Sequence, residues 1–208
     1  MIRIELKKYI ENVIFKEYEK NDIGHGIEHI KYVIRRSLKF AEKIEDINME
    51  MVYVIAAYHD IGHHIDAKNH EKISAEMLLN DEKLKEFFTD EEINIMSIAV
   101  EDHRSSSDII PRNIYGKIVS SADRNVSVSK TLERCYFYNL KHNPNLSEDD
   151  IIEICRLFLL KKYGINGYAR DKNFFDDDEY MKYLDELTAL ASNQEDFKKQ
   201  IAIIKDNH

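Results

Sequence analysis

The chain has few of the residues that a strand-rich protein needs to change direction. Its 208 residues include six glycines, two prolines and no tryptophan. Many short strands need many turns, and turns depend on glycine and proline, so this composition argues against an all-β fold. Leucine, isoleucine, glutamate, lysine, alanine and methionine are plentiful instead. We therefore predict an all-α protein, long enough to bury a sizeable core without disulfide bonds.

Long apolar runs and an excess of positive charge are also missing. No apolar stretch approaches the roughly twenty residues of a membrane-spanning helix, and the first eight residues mix charged with apolar side chains, unlike a secretory leader. The formal net charge of −9 argues against a broad basic face for a nucleic-acid polymer. We expect a soluble cytoplasmic protein with no membrane or nucleic-acid partner. A small anionic ligand stays compatible, because a metal ion and a few local cations can reverse the field at a site.

Cysteine is scarce, with only Cys135 and Cys155 present. They fall on separate predicted helices and nothing in the sequence pairs them, so we interpret them as structural thiols of a reducing compartment. No linker-like segment and no internal repeat interrupts the chain. We therefore predict a single helical domain over residues 1–208, whose oligomeric state the sequence leaves open.

Apolar periodicity predicts a series of helices. The helix at about 49–63 is apolar nearly all round, so we expect it at the centre of a bundle. Thr89 is predicted to cap the helix at about 90–103, and Ser147 is predicted to cap a later one. A single long helix is predicted at about 113–140.

Histidines and carboxylates are concentrated in the region of these helices. Seven of the nine histidines lie between positions 25 and 103. His59 and Asp60 follow the apolar helical stretch directly; such a pair is costly to bury alone and suits a divalent cation. With His29 and Asp123 they make two imidazoles and two carboxylates, a set that leaves coordination positions open for water and substrate.

The His59-Asp60 pair sets a geometric condition. Successive helical residues point about 100° apart, so both can bind one ion only if it lies between their directions. Gly62 indicates that the helix loosens here, and Asp60 could also bridge two ions. His70 and His103 are candidates for a second ion about 3.5–4 Å from the first, or they stay without metal and hydrogen-bond a phosphate. Zinc, manganese, iron, cobalt and magnesium all fit a site without a thiolate.

These residue types support phosphoester hydrolysis by a metal-activated water. His63 or His103 has the right intrinsic pKa to donate a proton to the leaving oxygen. Lys130, seven residues after Asp123 on one predicted helical face, could reach a substrate phosphate, as could Arg104. The alternative for both cations is an ordinary solvated side chain.

The order of these residues resembles the HD superfamily of metal-dependent phosphohydrolases. The matching segments are Gly24-His25-Gly26-Ile27-Glu28-His29, His59-Asp60-Ile61-Gly62-His63, His103 and Ala122-Asp123-Arg124. The resemblance covers about 22–130, the core of the predicted domain, and leaves about 131–208 as a C-terminal helical extension. It implies a compact all-α, multi-helix bundle.

The resemblance also implies a role for each matching residue. His63 would bind or protonate phosphate, and Arg124 would bind substrate or hold Asp123 in place. Tyr32 departs from the pattern, because many relatives have an arginine there, and no role is carried over to it. The implied ligands of the first metal site, followed by those of the second, are His29, His59, Asp60 and Asp123, then His70 and His103.

We therefore expect an enzyme that uses one or two divalent ions to hydrolyse a small phosphorylated substrate, such as a nucleotide or related metabolite. Two other functions fit the same residues: a metal-binding regulatory module without turnover, and a di-iron oxygenase, since inositol oxygenases resemble this scaffold. The short spacing of the two additional histidines disfavours the oxygenase. The remaining histidines are interpreted as ordinary core or surface residues: His25, His64, His142 and His208.

Overall fold

The computed structural model describes residues 2–21, 23–104, 110–170 and 174–206. Helices and turns make up this part of the chain, with no strand in it, which confirms the all-α prediction. Backbone contacts divide the chain into two compact units, Met1–Arg124 and Asn125–His208. The interpretation of residues 1–208 as a single domain stays a prediction.

The first unit is built around a buried helix. Helix α4, Met49–Tyr58, buries every residue from Met51 onward, because its side chains are apolar on nearly all sides. Asn48 caps it by accepting hydrogen bonds from the backbone N–H groups of Glu50 and Met51. This agrees with the central position expected for the helix.

Four further helices surround α4. Helices α3 (Ile27–Ala41), α6 (Asp90–Glu101) and α7 (Ile114–Ala122) pack against it, and α5 (His70–Leu79) packs mainly along α6. Thr89 caps α6 through a reciprocal pair of hydrogen bonds with Glu92, which confirms the predicted cap.

A continuous helical segment, residues 4–20, precedes these helices. It changes geometry along its length, from α1 (Ile4–Tyr9) through a π-helical stretch (Ile10–Ile14) and α2 (Phe15–Glu17) to a 3-10 turn (Tyr18–Lys20). Its apolar side chains Leu6, Ile10, Ile14 and Tyr18 are buried. The segment is therefore part of the first unit's core.

The prediction of one long helix at 113–140 is wrong. Helix α7 ends at Ala122, Asp123 is its C-cap residue, and α8 (Val128–His142) begins after Ser127, whose hydroxyl accepts from the N–H of Lys130. Ser127 and Asn125 bond to nearby backbone groups, which favours a new helix start over continuation. Lys130 therefore does not share a helical face with Asp123, and that argument for its role fails.

Helix α4 ends at Tyr58, before the predicted His63, and residues 59–65 form successive turns. Gly62 lies where these turns approach α5. A Cβ atom on Gly62 would lie 2.7 Å from Cγ2 of Ile73 and 3.0 Å from the backbone nitrogen of Ser74. The N–H of Gly62 donates to the Ser74 hydroxyl at 3.0 Å. This close approach requires glycine.

We expect Gly62→Ala to lower the free energy of unfolding by about 1–3 kcal/mol, the usual cost of overpacking. Urea denaturation measures the change. Gly116→Ala is the matched control, since its Cβ would meet Pro111 Cβ at 3.0 Å and its next neighbours only at 3.5 Å. An equal loss in both variants would contradict the steric explanation.

The second unit contains α8, α9 (Glu148–Tyr163), α10 (Asp178–Ser192) and α11 (Gln194–Asp206). Ser147 caps α9 by accepting from the N–H of Asp150, as predicted. The four helices share a core of buried side chains that includes Leu132, Cys155, Leu184, Phe197 and Ile201.

The two cysteines are free thiols on neighbouring helices of this unit. The Nδ2 atom of Asn139 lies 3.8 Å from the sulfur of Cys135 and 3.5 Å from that of Cys155. The sequence does not predict this proximity. The predicted polar loop at 105–108 lies outside the described residues, and none of the described helices has both the length and the apolarity to cross a membrane.

Candidate metal centre

Six side chains of the first unit come together, each at or near a helix end. His29 lies in the first turn of α3, His59 and Asp60 follow α4, and His70 begins α5. The remaining two follow the last residues of α6 and α7. The structure thus brings together all the side chains predicted as metal ligands: His29, His59, Asp60, His70, His103 and Asp123.

Four of these groups face one small volume. The Nε2 atom of His29 lies 3.1 Å from Oδ1 of Asp123, 3.3 Å from Nε2 of His59 and 3.5 Å from Oδ2 of Asp60. The Nε2 atom of His59 lies 3.3 Å from Oδ2 of Asp60 and 3.8 Å from Oδ1 of Asp123. Two imidazoles and two carboxylates therefore converge, and we call this group the first cluster.

The other oxygen of Asp60 faces His70 and His103, and we call these three residues the second cluster. The Oδ1 atom of Asp60 lies 3.1 Å from Nε2 of His70 and 3.4 Å from Nε2 of His103, and the two Nε2 atoms are 3.3 Å apart. The carboxylate of Asp60 thus lies between the two clusters, with one oxygen toward each.

Backbone carbonyls fix which nitrogen of three rings points into the clusters. The Nδ1 atom contacts the carbonyl oxygen three residues earlier at 2.9 Å in His59, 3.0 Å in His70 and 2.6 Å in His103. A carbonyl only accepts, so Nδ1 carries the hydrogen and Nε2 is left to bind a cation. Two Nε2 lone pairs 3.3 Å apart repel each other unless a proton or a metal ion lies nearby.

Protons take this role in the metal-free protein. Burial alone would lower the pKa of His29, but hydrogen bonds to Asp123 and Asp60 outweigh it and raise the pKa to about 10. Burial likewise opposes protonation of His103, yet the hydrogen bond to Asp60 raises its pKa.

The carboxylates respond in the opposite direction. Burial would raise the pKa of Asp60, but the charge of His59 and hydrogen bonds from the surrounding imidazoles hold it well below its usual value. Against its own burial, the pKa of Asp123 is lowered by His29 and His59. The two carboxylates of the centre are therefore ionised, and their negative charge favours a proton or a metal ion on the surrounding imidazoles.

Exposure differs across the centre. His59 is 0 % exposed and His103 1 %, whereas the side chains of His29 and Asp123 are 21 % and 19 % exposed. The first cluster is therefore accessible from the side of His29 and Asp123. Ligand atoms within 4.8 Å of one another, in the sets His29-His59-Asp123 and His59-Asp60-His103, suit a metal ion.

The segment that carries the two clusters is similar to a known protein family. Residues 26–125 match the family model described as HD domain, and all six side chains lie within that match. This part of the chain is an HD domain. The match agrees with the resemblance predicted at about 22–130.

A crystal structure at 1.45 Å resolution supports the fold. It is described as a "predicted HD superfamily hydrolase" from an uncultured Thermotogales bacterium, and it is similar to this chain with a TM-score of 0.52 and 19 % sequence identity. The similarity covers 89 % of this chain and 91 % of that one. No curated protein sequence matches this chain.

Two further histidines, His25 and His63, lie beside the clusters. His63 stacks on His25, with ring centroids 3.8 Å apart and planes at 19°. The ring of His63 lies 5.3 Å from that of His70, and the ring of His25 lies 5.9 Å from that of His29. Sequence reasoning treats His25 as an ordinary histidine; it lies in the 3-10 turn Ile23–His25 before α3, and its stacking on His63 depends on tertiary packing that no local pattern indicates.

Arg104 and Arg124 directly follow two residues of the clusters, His103 and Asp123. The Nη1 atom of Arg104 donates to the carbonyl of Lys68 at 2.7 Å and to Oε2 of Glu71 at 3.3 Å, so it ties the chain after His103 to the start of α5. Arg124 is 6 % exposed. Their roles in substrate binding stay predictions.

Tyr32, to which the sequence resemblance assigns no role, makes a contact next to Asp123. Its hydroxyl donates to the backbone carbonyl of Arg124 at 3.2 Å. It thereby links α3, which carries His29, to the residue after Asp123. Lys130 belongs to the second unit, where its backbone N–H donates to Ser127.

Arg112, which the sequence reasoning missed, holds the chain next to His103. Its backbone N–H donates to Oδ2 of Asp102 at 2.7 Å, and its Nε atom lies 3.1 and 3.0 Å from the two oxygens of the same carboxylate. Only position in the fold reveals this contact, because arginine and aspartate are common on surfaces.

Proposed function

We propose that this protein is a metal-dependent phosphohydrolase that cleaves a small phosphoester, such as a nucleotide or a related metabolite. The convergence of four imidazole Nε2 atoms on the carboxylates of Asp60 and Asp123, at 3.1–3.8 Å, carries the proposal. The HD domain supports it, as does the similar structure described as a hydrolase.

The donor atoms fit divalent ions. The first cluster would hold one ion, and His70 and His103, with Oδ1 of Asp60, would hold a second. Imidazole nitrogen and carboxylate oxygen suit manganese, magnesium, cobalt, zinc and iron. When bound, such an ion supplies Lewis acidity and makes a water molecule acidic enough to attack phosphorus near neutral pH.

The chain's own residues divide the remaining tasks. Both ring nitrogens of His103 are engaged, Nδ1 with a carbonyl and Nε2 in the second cluster. The ring of His63 lies 5.3 Å from that of His70, beside the second cluster, and His63 is proposed to give a proton to the leaving oxygen. The exposed side of His29 and Asp123 would admit the substrate, with Arg104 and Arg124 proposed to contact it.

Activity is tested with protein loaded with manganese, cobalt or magnesium, against an aryl phosphate and a panel of nucleotides. We expect release of phosphate or pyrophosphate that stops when a chelator removes the metal. Loaded protein that releases neither at substrate saturation would favour the regulatory module. Two tightly held irons with oxygen consumption would favour the oxygenase.

The number of ions provides a separate prediction. We expect His70→Ala to lower the metal content from two ions per chain to one, because the first cluster stays intact. Elemental analysis after gel filtration measures the ratio. His142→Ala is the matched control, since that exposed ring makes the same kind of Nδ1 contact with a carbonyl, at 2.8 Å, on α8. One ion in the unmodified protein would contradict the second site and favour phosphate binding by His70 and His103.

A further inference from the structure

Two side chains from outside the residues matched as an HD domain reach Asp60. Tyr18 lies in the last turn of the helical segment of residues 4–20, and Asn21 follows that segment; both precede residue 26. Tyr18 is 1 % exposed, among the most buried side chains of the first unit.

The hydroxyl of Tyr18 makes two hydrogen bonds where α4 ends. It donates to the backbone carbonyl of Ala57 at 2.9 Å and accepts from the N–H of Asp60 at 3.2 Å. The hydroxyl of Tyr18 therefore satisfies one carbonyl and one N–H group that lose helical partners where α4 ends and the turn with Asp60 begins.

The side chain of Asn21 connects two turns. Its Nδ2 atom donates to the carbonyls of Asp60 and His25, both at 3.0 Å. Its Oδ1 atom accepts from the N–H of His64 at 2.9 Å. The turn with His25 is thus joined directly to the turn that carries Asp60, His63 and His64.

Both backbone polar groups of Asp60 are therefore bound by side chains of the N-terminal segment. The orientation of this residue is demanding, since its two carboxylate oxygens must face different clusters at 3.1–3.5 Å. A small rotation of the peptide groups would move both oxygens away from their partners. The hydrogen bonds of Tyr18 and Asn21 oppose that rotation.

We propose that Tyr18 and Asn21 are positioning residues of the metal centre, which hold the carboxylate of Asp60 between the two clusters and keep the turns of His25 and His63 together. The inference rests on the proposed function only in that the centre binds metal. It makes the N-terminal segment part of the functional site.

Asn21→Asp tests the role of the amide with little change in size. The variant keeps an acceptor for His64 but places an oxygen against two carbonyls, where Nδ2 now donates. Tyr18→Phe removes one hydroxyl and keeps the ring. We expect each change to weaken metal binding by about 10–100-fold, the usual effect of removing a group that orients a ligand. Competition with a chromophoric chelator measures the affinity of the folded protein for manganese or zinc.

Matched controls separate positioning from general stability. Tyr9→Phe removes a hydroxyl from the same segment, one that donates to Asp81 at 2.5 Å. Asn80→Asp changes an exposed amide that donates to the carbonyl of Glu76 at its own helix end. Both should leave metal affinity unchanged, even if Tyr9→Phe lowers the melting temperature. Asn21→Ser, which keeps a smaller donor, should lose less affinity than Asn21→Asp and serves where that variant does not fold.

The outcomes are distinguishable. Unchanged metal affinity in Tyr18→Phe and Asn21→Asp, with a lower melting temperature, would overturn the inference and leave the proposed function standing. Weakened metal binding in both would support it even if the unmodified protein hydrolyses no phosphoester. An unmodified protein that binds neither manganese nor zinc would overturn both proposals.

Discussion

Asp60→Asn should abolish metal loading and lower phosphoester hydrolysis by about a thousandfold, a scale typical for removal of one group that stabilises charge at an active site. The carboxylate presents one oxygen to each cluster, and the amide would present an NH2 group to one of them. An NH2 group cannot bind a cation, and the lost negative charge weakens attraction for the metal at both positions.

Elemental analysis and phosphate release measure these effects, and circular dichroism shows whether the helices remain. Asp149→Asn is the control, because Asp149 is an exposed carboxylate paired with Lys198 on the second unit. It should retain full metal content and activity. Turnover that survives in Asp60→Asn or Asp60→Ala would contradict the bridging role of this residue.

The six convergent residues could be predicted from sequence because their types and order carry the signal. A buried apolar helix followed by His59 and Asp60 has few interpretations, and helix caps such as Thr89 depend on neighbours within four residues. These features are local, or belong to one recognisable pattern.

The contacts that support the centre are of another kind. Tyr18 and Asn21 meet Asp60 across about forty positions of chain, and such contacts depend on how helices pack and not on local pattern. The break after Ala122 was missed because apolar periodicity continues across it, while the side chains of Asn125 and Ser127 decide the helix start. That break matters for the site, because it places Asp123 at a helix end, and the other five side chains of the centre also lie at or near helix ends.

The second large effect concerns pH. Metal binding should tighten about tenfold for each pH unit between about 6 and 9, because an ion must displace one proton from the centre. In the metal-free protein the pKa of His29 is about 10, so this imidazole is protonated across that range. A metal-bound imidazole carries no proton on that nitrogen, and each rise of one unit makes the competing proton tenfold scarcer. The slope should flatten above about pH 10, and the raised pKa of His103 makes it steeper if a second ion binds.

The metal-free protein should show the opposite trend in stability. The pKa of His29 in the folded state lies above its ordinary 6.5, so its stabilising contribution is complete below about 6.5 and is lost as the pH rises toward 10. The pKa of Asp60 lies well below its ordinary 3.8, so its contribution is present above that value and is lost on acidification. Chelator-stripped protein should therefore melt highest between about pH 4 and 6.5.

Titration calorimetry in buffers of different ionisation enthalpy counts the protons released when metal binds, and thermal melting of stripped protein follows stability across pH. In His29→Ala, metal binding should be weaker and should release about one proton fewer. His142→Ala should match the unmodified protein in both. A metal affinity that stays constant from pH 6 to 9 would mean that the centre holds no displaceable proton, which is incompatible with ionised Asp60 and Asp123 drawing a cation between the imidazoles.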